Sequence, residues 1–416
     1  MKQTADVIVI GGGPAGATAS ALLAEKGHDV VVIEKSKFPR YHVGESLMPF
    51  CYHTLDRLGL VEEMDKLGFT QKFSVQFVTQ DGKQSRPFYF FQHYDHPSST
   101  TWQVLRSQFD SLILNKARDN GATVYELTQA KSLIEDDGTT VGVQVMGADG
   151  QSHEIMAPMV IDASGRDSLV QTKNKWRKRD PVLNKIAIWT YFKGALRDPG
   201  LDAGSTTVAY IPDKGWFWYI PLAGDIVSLG VVADRDYLYR NTRDPEQIIK
   251  EEIKNNVWIS EHLKPGRQFG RYWTTGEYSY RSEFCAANGL LLAGDAFAFL
   301  DPVFSSGVFL ALKSGEMAAD AVHHAILNND YQASQFSEYG RELCEGIEAM
   351  RALVYAFYDQ GFSFADLVKE YPDVRGDLTD CLIGNLSTDF SSLFEAVSNF
   401  ASLPSKLEHG KVLASA

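Results

Sequence analysis

Cysteine is scarce in this chain: Cys51, Cys285, Cys344 and Cys381 are the only 4 in 416 residues, and no two form a C-x-x-C pair. That spacing excludes a disulfide framework or a thiolate zinc site and leaves packing as their role. Long apolar runs are missing too. None reaches the ~18 residues that a bilayer span requires, so no membrane partner is expected. Positive charge is in deficit, with 40 Lys+Arg against 53 Asp+Glu and a net charge of -13, a field that repels nucleic acid and anionic lipid. The opening residues Met1 to Asp6 lack the basic, apolar and small-residue order of a signal peptide, which predicts a cytoplasmic protein. Internal repeats and low-complexity tracts are absent. What is present, 44% hydrophobic and 12% aromatic residues, is a globular composition in a chain long enough for two packed units or one large domain with an insertion.

The strongest local pattern is at the start. Asp6-Val-Ile-Val-Ile-Gly11 is an apolar strand, Gly11-Gly-Gly13-Pro14-Ala15-Gly16 follows at once, Ala17 to Lys26 is an Ala/Leu-rich helix, and Asp29 to Glu34 is a second strand. In that context the G-x-G-x-x-G match predicts a dinucleotide site: Gly11 makes the turn, Gly13 lets a pyrophosphate approach the backbone, and Gly16 lets helix pack on strand. The helix N-terminus supplies free N–H groups and a positive dipole end for the phosphates. Glu34 ends the second strand, where its carboxylate suits a ribose diol. These residues alone fit FAD and NAD equally.

Further pieces form a set. Arg40 and Glu45 lie in Phe38-Pro-Arg-Tyr-His-Val-Gly-Glu45-Ser46, Arg106 opens an amphipathic helix, Asp162-Ala-Ser-Gly-Arg166 follows an apolar strand, and Gly289-Leu-Leu-Leu-Ala-Gly-Asp295 is a second acidic turn. Singly, each charge reads as a solvated or structural group. In this order and spacing the set resembles the FAD-dependent aromatic monooxygenases of the p-hydroxybenzoate hydroxylase fold, and more specifically the flavin-dependent halogenases. The resemblance covers about the first 330 residues.

Three motifs carry the narrower resemblance. Trp216-Phe-Trp218-Tyr-Ile-Pro221 matches W-x-W-x-I-P, whose bulky residues wall the flavin off from the substrate; the residues by themselves read equally as a strand with one aromatic face. Phe299, Pro302, Ser305 and Gly307 fit F-x-x-P-x-x-S-x-G. By resemblance the Ser306 and Gly307 amides hold a halide; as plain sequence, Ser305-Ser-Gly307 is a helix cap, and a capped N-terminus is itself an anion site. Lys72 stands where the family carries its active-site lysine, after Gly44-Glu45-Ser46 and a helix, with Lys66 as a nearby decoy.

The resemblance implies an α/β fold with a Rossmann-like FAD-binding domain, a β-sheet substrate layer and a C-terminal helical region. Its segments are 1–72, 101–180 and 285–330 for FAD, 73–100 and 181–284 for the sheet, and 331–416 for the helices. FAD would be held by Gly11, Gly13, Pro14, Ala15, Gly16, Glu34, Lys35, Arg40, Arg106, Asp295 on the ribityl chain, Pro302 and Gly307. Reduced FAD, O₂ and chloride or bromide would give hypohalous acid, walled in by Trp216, Trp218 and Pro221 and relayed by Lys72 to an electron-rich ring. A desolvated lysine has a lowered pKa, which suits that task. Only one dinucleotide fingerprint is present, so the reduced flavin is expected from a separate flavin reductase.

One departure is informative. Tryptophan halogenases place glutamate before the serine of the halide loop, and this chain has Phe304, assigned here to the substrate pocket. That disfavours free tryptophan and points to a phenol or pyrrole, free or carrier-bound. The competing functions are an FAD hydroxylase, which needs neither wall nor lysine, and a flavin-binding interaction protein without catalysis.

Elsewhere, Lys185–Phe192, Thr206–Ile211, Trp216–Ile220 and Ile226–Ala233 read as strands of the substrate sheet, joined by Phe73–Val78 and Phe88–Phe91, with a short helix over Asp244–Asn255. A long helix is expected from Val308 to about Leu327, and helices over most of the tail, whose aromatics suit either a core or a roof for the substrate pocket. The basic run Lys173-Asn-Lys-Trp-Arg-Lys-Arg179 reads as a solvated loop, or as a docking patch for an acidic carrier protein.

Overall fold

The computed structural model describes residues 1–276 and 279–413; the last three residues of the 331–416 segment therefore lie outside the described residues. Apolar β-branched runs buried on both faces build the first of two seven-stranded sheets, as parallel strands require. Its order is Lys411–Val412, Phe284–Ala287, Leu290–Leu292, Met159–Asp162, Val7–Ile10, Val30–Ile33 and Thr123–Tyr125. The helices Pro14–Glu25, Arg106–Asp119 and Ser306–Asn328 pack together beside it. The class is α/β, with a helical C-terminal region.

The second sheet runs Arg267–Gly276, Lys185–Lys193, Ile226–Asp234, Trp216–Leu222, Thr206–Tyr210, Ser74–Val78 and Phe88–Tyr89. Alternation splits it into two faces. Phe217 and Tyr219 join a core closed by the helices Pro245–Ile253 and Val257–Leu263, whereas Trp216, Trp218 and Ile220 face the other way, toward the first sheet's loops and the C-terminal helix Ser337–Tyr358.

One local reading changes. The run from Lys173 to Arg179 is not a loop. It ends the helix Leu169–Lys173 and then forms the strand Arg177–Arg179, paired with Tyr280–Ser282. Arg177 lies 3.8 Å over the Tyr280 ring, and Lys178 pairs with Glu283 at 3.0 Å. Lys72 closes the short strand Thr70–Lys72, paired with Thr101–Gln103, and the strand Ser74–Val78 follows it.

Candidate active site

The Gly-rich turn separates two kinds of glycine. At Gly11, where φ is +104°, a Cβ would lie 2.3 Å from the Ala163 carbonyl oxygen, and at Gly16 it would lie 2.0 Å from that of Gly11, so the protein itself requires both. At Gly13 a Cβ would approach only Arg40 Nη2, at 3.4 Å; the remaining space is open to a cavity and is available to a ligand. Pro14 begins the helix Pro14–Glu25, and no side chain caps its Gly13 end. The first-turn N–H groups have no acceptors within a helix and are left for phosphate oxygens.

A cavity of about 410 Å³ extends from Gly11, Gly13, Pro14, Ala15, Glu34, Lys35 and Arg40 past Asp295, Pro302 and Gly307 to Ser46, Trp216, Trp218 and Ile220. Glu34 is buried and preset: its carboxylate accepts from the Gly12 and Ser36 amides at 2.8 and 2.7 Å. Lys35 pairs with Asp167. Arg106 donates to Asp110 at 2.7 and 3.0 Å and to the Val43 carbonyl at 2.7 Å, and the same Asp110 binds Arg40 at 3.0 Å. Asp110 is fully buried, so one carboxylate fixes both cationic side chains. Burial pushes the Asp295 carboxyl up to about 6, against the pull of Arg166 and Arg106.

The loop from Pro302 to Gly307 is shaped by its backbone. Pro302–Phe304 is a single 3₁₀ turn, Ser305 is left-handed at φ +59°, and the helix Ser306–Asn328 starts at once. Ser305 makes no side-chain cap bond, which leaves the amides of Ser306 and Gly307 in the first turn without helical acceptors. A Cβ on Gly307 would touch only Phe299 Cε2, at 3.9 Å. The fold does not need glycine there. Phe304 packs edge-on against Phe357 and Phe364, outside the lining of the cofactor cavity.

Trp216, Trp218 and Ile220 form one apolar side of the cavity, the place where a wall was expected. Pro221 is absent from the cavity lining because residues two apart share a face of a strand and the next one does not. Its missing N–H is tolerated since pairing with Thr206–Tyr210 ends at Tyr219. Gly230 makes room for the wall, as a Cβ there would come within 2.2 Å of the Trp218 ring. Trp216 Nε1 donates to the Tyr358 hydroxyl at 2.8 Å, which in turn donates to buried Asp301 at 2.9 Å.

Lys72 sits behind the cavity rather than on it. Its side chain is buried, and Nζ donates to Ser46 Oγ at 2.9 Å and to the Leu47 carbonyl at 3.1 Å. Ser46 is the cavity-lining residue between them, and its hydroxyl also meets Thr206 Oγ1 at 2.8 Å. Burial lowers the Lys72 ammonium to about 7. Lys66, by contrast, is exposed and paired with Glu63.

A family model described as "FAD binding domain" matches residues 4–323. A 1H-pyrrole-2-carbonyl-[peptidyl-carrier protein] brominase of Pseudoalteromonas luteoviolacea is 34% identical over 91% of this chain and 91% of its own. The chain belongs to the flavin-dependent halogenases. The corresponding chlorinase of Pseudomonas fluorescens is 31% identical, over 92% of this chain and 89% of its own. Among solved structures, the flavin-dependent brominase Bmp2 superposes with a TM-score of 0.87 at 29% identity, covering 95% and 97% of the two chains.

FAD is the cofactor of this halogenase, and the residues present suit it: an open cradle at Gly13, a preset carboxylate at Glu34 and a clamped pair of arginines. Sequence reasoning missed Asp110, Ser46, Ile220 and Tyr358. Asp110 carried a signal in its spacing of four from Arg106 on one helix, and Ile220 and Ser46 stood inside recognised motifs, whereas nothing local marked Tyr358. Because a methyl group at position 307 would occupy ligand space alone, Gly307→Ala is expected to leave the melting temperature unchanged. It should raise the halide KM roughly tenfold, about 1.4 kcal/mol of binding. Steady-state kinetics over a bromide titration checks this; an unchanged KM removes Gly307 from the halide site.

Among the described residues no helix is long and apolar enough to cross a membrane.

Proposed function

We propose that this halogenase transfers chlorine or bromine to an electron-rich aromatic ring, with a pyrrole on a carrier protein as the leading candidate, and that Lys72 relays the halogen. The observation that carries the reading is the position of Lys72 Nζ, one hydroxyl removed from the flavin cavity and buried. Bound in reduced form, FAD supplies with O₂ the oxidation of halide to hypohalous acid. Everything else falls to the chain. The Gly13 cradle and the arginines hold the cofactor, and the Ser306 and Gly307 amides hold the halide. Trp216, Trp218 and Ile220 exclude water and keep ring and flavin apart, which leaves the polar gap at Ser46 as the way to Lys72. Near neutral pH a lysine at about 7 is partly a free amine, able to bind hypohalous acid or to form an N-halo amine with loss of water.

The acceptor class is supported by Phe304, which replaces the carboxylate of tryptophan-acting relatives, and by two relatives whose names specify carrier-bound pyrrole. Phe304, Phe357 and Phe364, together with Phe77 and Tyr210, form the aromatic cluster beside the wall that suits a planar ring. A separate flavin reductase delivers the reduced cofactor, in keeping with the single dinucleotide fingerprint.

The test supplies reduced FAD, O₂ and bromide or chloride to free and carrier-bound pyrroles and phenols, with product mass as readout. Mass gain by halogen on the carrier-bound pyrrole is expected. Halogen only on free phenols overturns the substrate assignment, and oxygen gained without halogen overturns the function.

A further inference from the structure

Oxidising a halide consumes a proton. Dioxygen takes up four electrons, two from the reduced flavin and two from the halide. The O–O bond breaks, one oxygen bonds the halogen in hypohalous acid and the other leaves as water. Reduced flavin, O₂ and halide balance against oxidised flavin, hypohalous acid and water only when one H⁺ enters, and on the side of Trp216, Trp218 and Ile220 the cavity lining is apolar.

Glu45 is a carboxyl group in the cavity lining, 3% exposed. Its Oε1 accepts from the Tyr191 hydroxyl at 2.6 Å, and Tyr191 lies 2.8 Å from the hydroxyl of Tyr41. Tyr41 is 42% exposed and lines the same cavity, so it stands at the mouth. The direction of this row is fixed by counting hydrogens. Tyr191 spends its one proton on Glu45, so Tyr41 must donate to Tyr191, and the Tyr41 oxygen accepts from Trp189 Nε1 at 2.6 Å. The Tyr41 ring is further held by stacking on Trp273, 4.3 Å between centroids. On the inner side, Trp218 Nε1 donates to Ser228 Oγ at 3.1 Å, and Ser228 donates to Glu45 Oε2 at 3.4 Å.

We propose that Tyr41, Tyr191 and Glu45 form a proton path from solvent into the flavin cavity, and that Glu45 delivers the proton consumed in halide oxidation. A proton taken up from water at the Tyr41 oxygen displaces that of Tyr41 to Tyr191 and that of Tyr191 to Glu45, one O–H breaking as the next forms. The resulting carboxylic acid faces the cavity. The charges around the path agree with it. Burial raises the Glu45 carboxyl, outweighing Arg106, the cation beside it; His42 is held neutral by burial and by Arg106; and Arg271, stacked on Trp273, is the cation beside Tyr41.

The inference rests on halide oxidation, not on Lys72. Its first test needs no cofactor: infrared difference spectra of the flavin-free protein should show a carboxylic acid C=O band around neutral pH. The band should be absent from Glu45→Gln and should titrate at higher pH in Tyr191→Phe, which lacks the donor to the anion. In the loaded enzyme, Tyr191→Phe and Tyr41→Phe should each slow halide oxidation at least roughly tenfold, as general acid effects do, with a larger solvent deuterium isotope effect and unchanged FAD affinity. A Glu45 that is ionised around neutral pH, or a Tyr191→Phe enzyme with an unaltered rate and isotope effect, overturns the path. Absence of halide oxidation in the unmodified enzyme would instead count against the function.

Discussion

Lys72→Met is expected to abolish transfer of halogen to the ring while flavin oxidation and halide consumption continue, with hypohalous acid escaping into solution. The loss in ring halogenation should be at least roughly a hundredfold, the scale of a positioned acid–base or nucleophilic group. The same substitution should make the protein more stable. Burial holds the Lys72 ammonium at about 7, whereas in the unfolded chain a lysine titrates at about 10.4. The unfolded state therefore binds more protons between those values, and stability rises with pH across that window. At or below neutral pH the full gap applies, about 4–5 kcal/mol. The lost hydrogen bonds to Ser46 and Leu47 offset about 1–2 kcal/mol of that. A net gain of about 2–4 kcal/mol is expected at pH 7, fading toward pH 10. Thermal melts at both pH values, with product mass and trapping of free hypohalous acid, check it. Retained halogenation would remove Lys72 from the mechanism, and a pH-independent stability change would show that its charge is not the cause.

Asp110→Ala should do the opposite, lowering both stability and FAD affinity. Arg106 is 6% exposed and Asp110 fully buried, so the mutation strands a guanidinium that keeps the Val43 carbonyl as acceptor but no paired carboxylate. Removing one partner of a buried ion pair costs about 3–5 kcal/mol. Arg40 loses the same anchor, and with both cations released FAD binding should weaken roughly a hundredfold, about 2.7 kcal/mol. Asp110→Asn keeps the shape and should fall between. Flavin fluorescence titrations beside thermal melts separate the two effects: a destabilised protein with unchanged FAD affinity would mean that Asp110 only stabilises the helix.

What the sequence made legible was local. The strand, turn and helix around Gly11 to Gly16 lie within one short stretch, and each step is dictated by backbone sterics, so pattern and structure coincide. The long strands and the helix Ser306–Asn328 were equally readable from apolar runs and a small-residue start. Lys72 was found as a residue but not as part of a strand, because three residues paired with three others leave no periodicity to detect. Pro221 was misplaced through treating a motif as one block, although a strand sends alternate residues to opposite faces. Phe304 packs on Phe357 and Phe364, far along the chain, and no local pattern gives those two contacts. Tyr358 and Tyr191 act across 142 and 146 residues of chain, and nothing short-range announces such pairs.

The hydrogen bond from Trp216 to Tyr358 bears on how this scaffold is recombined. The family match ends at residue 323, but the partner that orients the first indole of the wall is the last residue of the helix Ser337–Tyr358. A chimera joined at the end of the cofactor-binding segment would exchange that hydroxyl along with the tail. Donor tails with phenylalanine there leave an indole N–H facing apolar surroundings. Crossovers placed after Tyr358 keep the partition intact while the remaining tail, including Phe364, is varied to suit new acceptor rings.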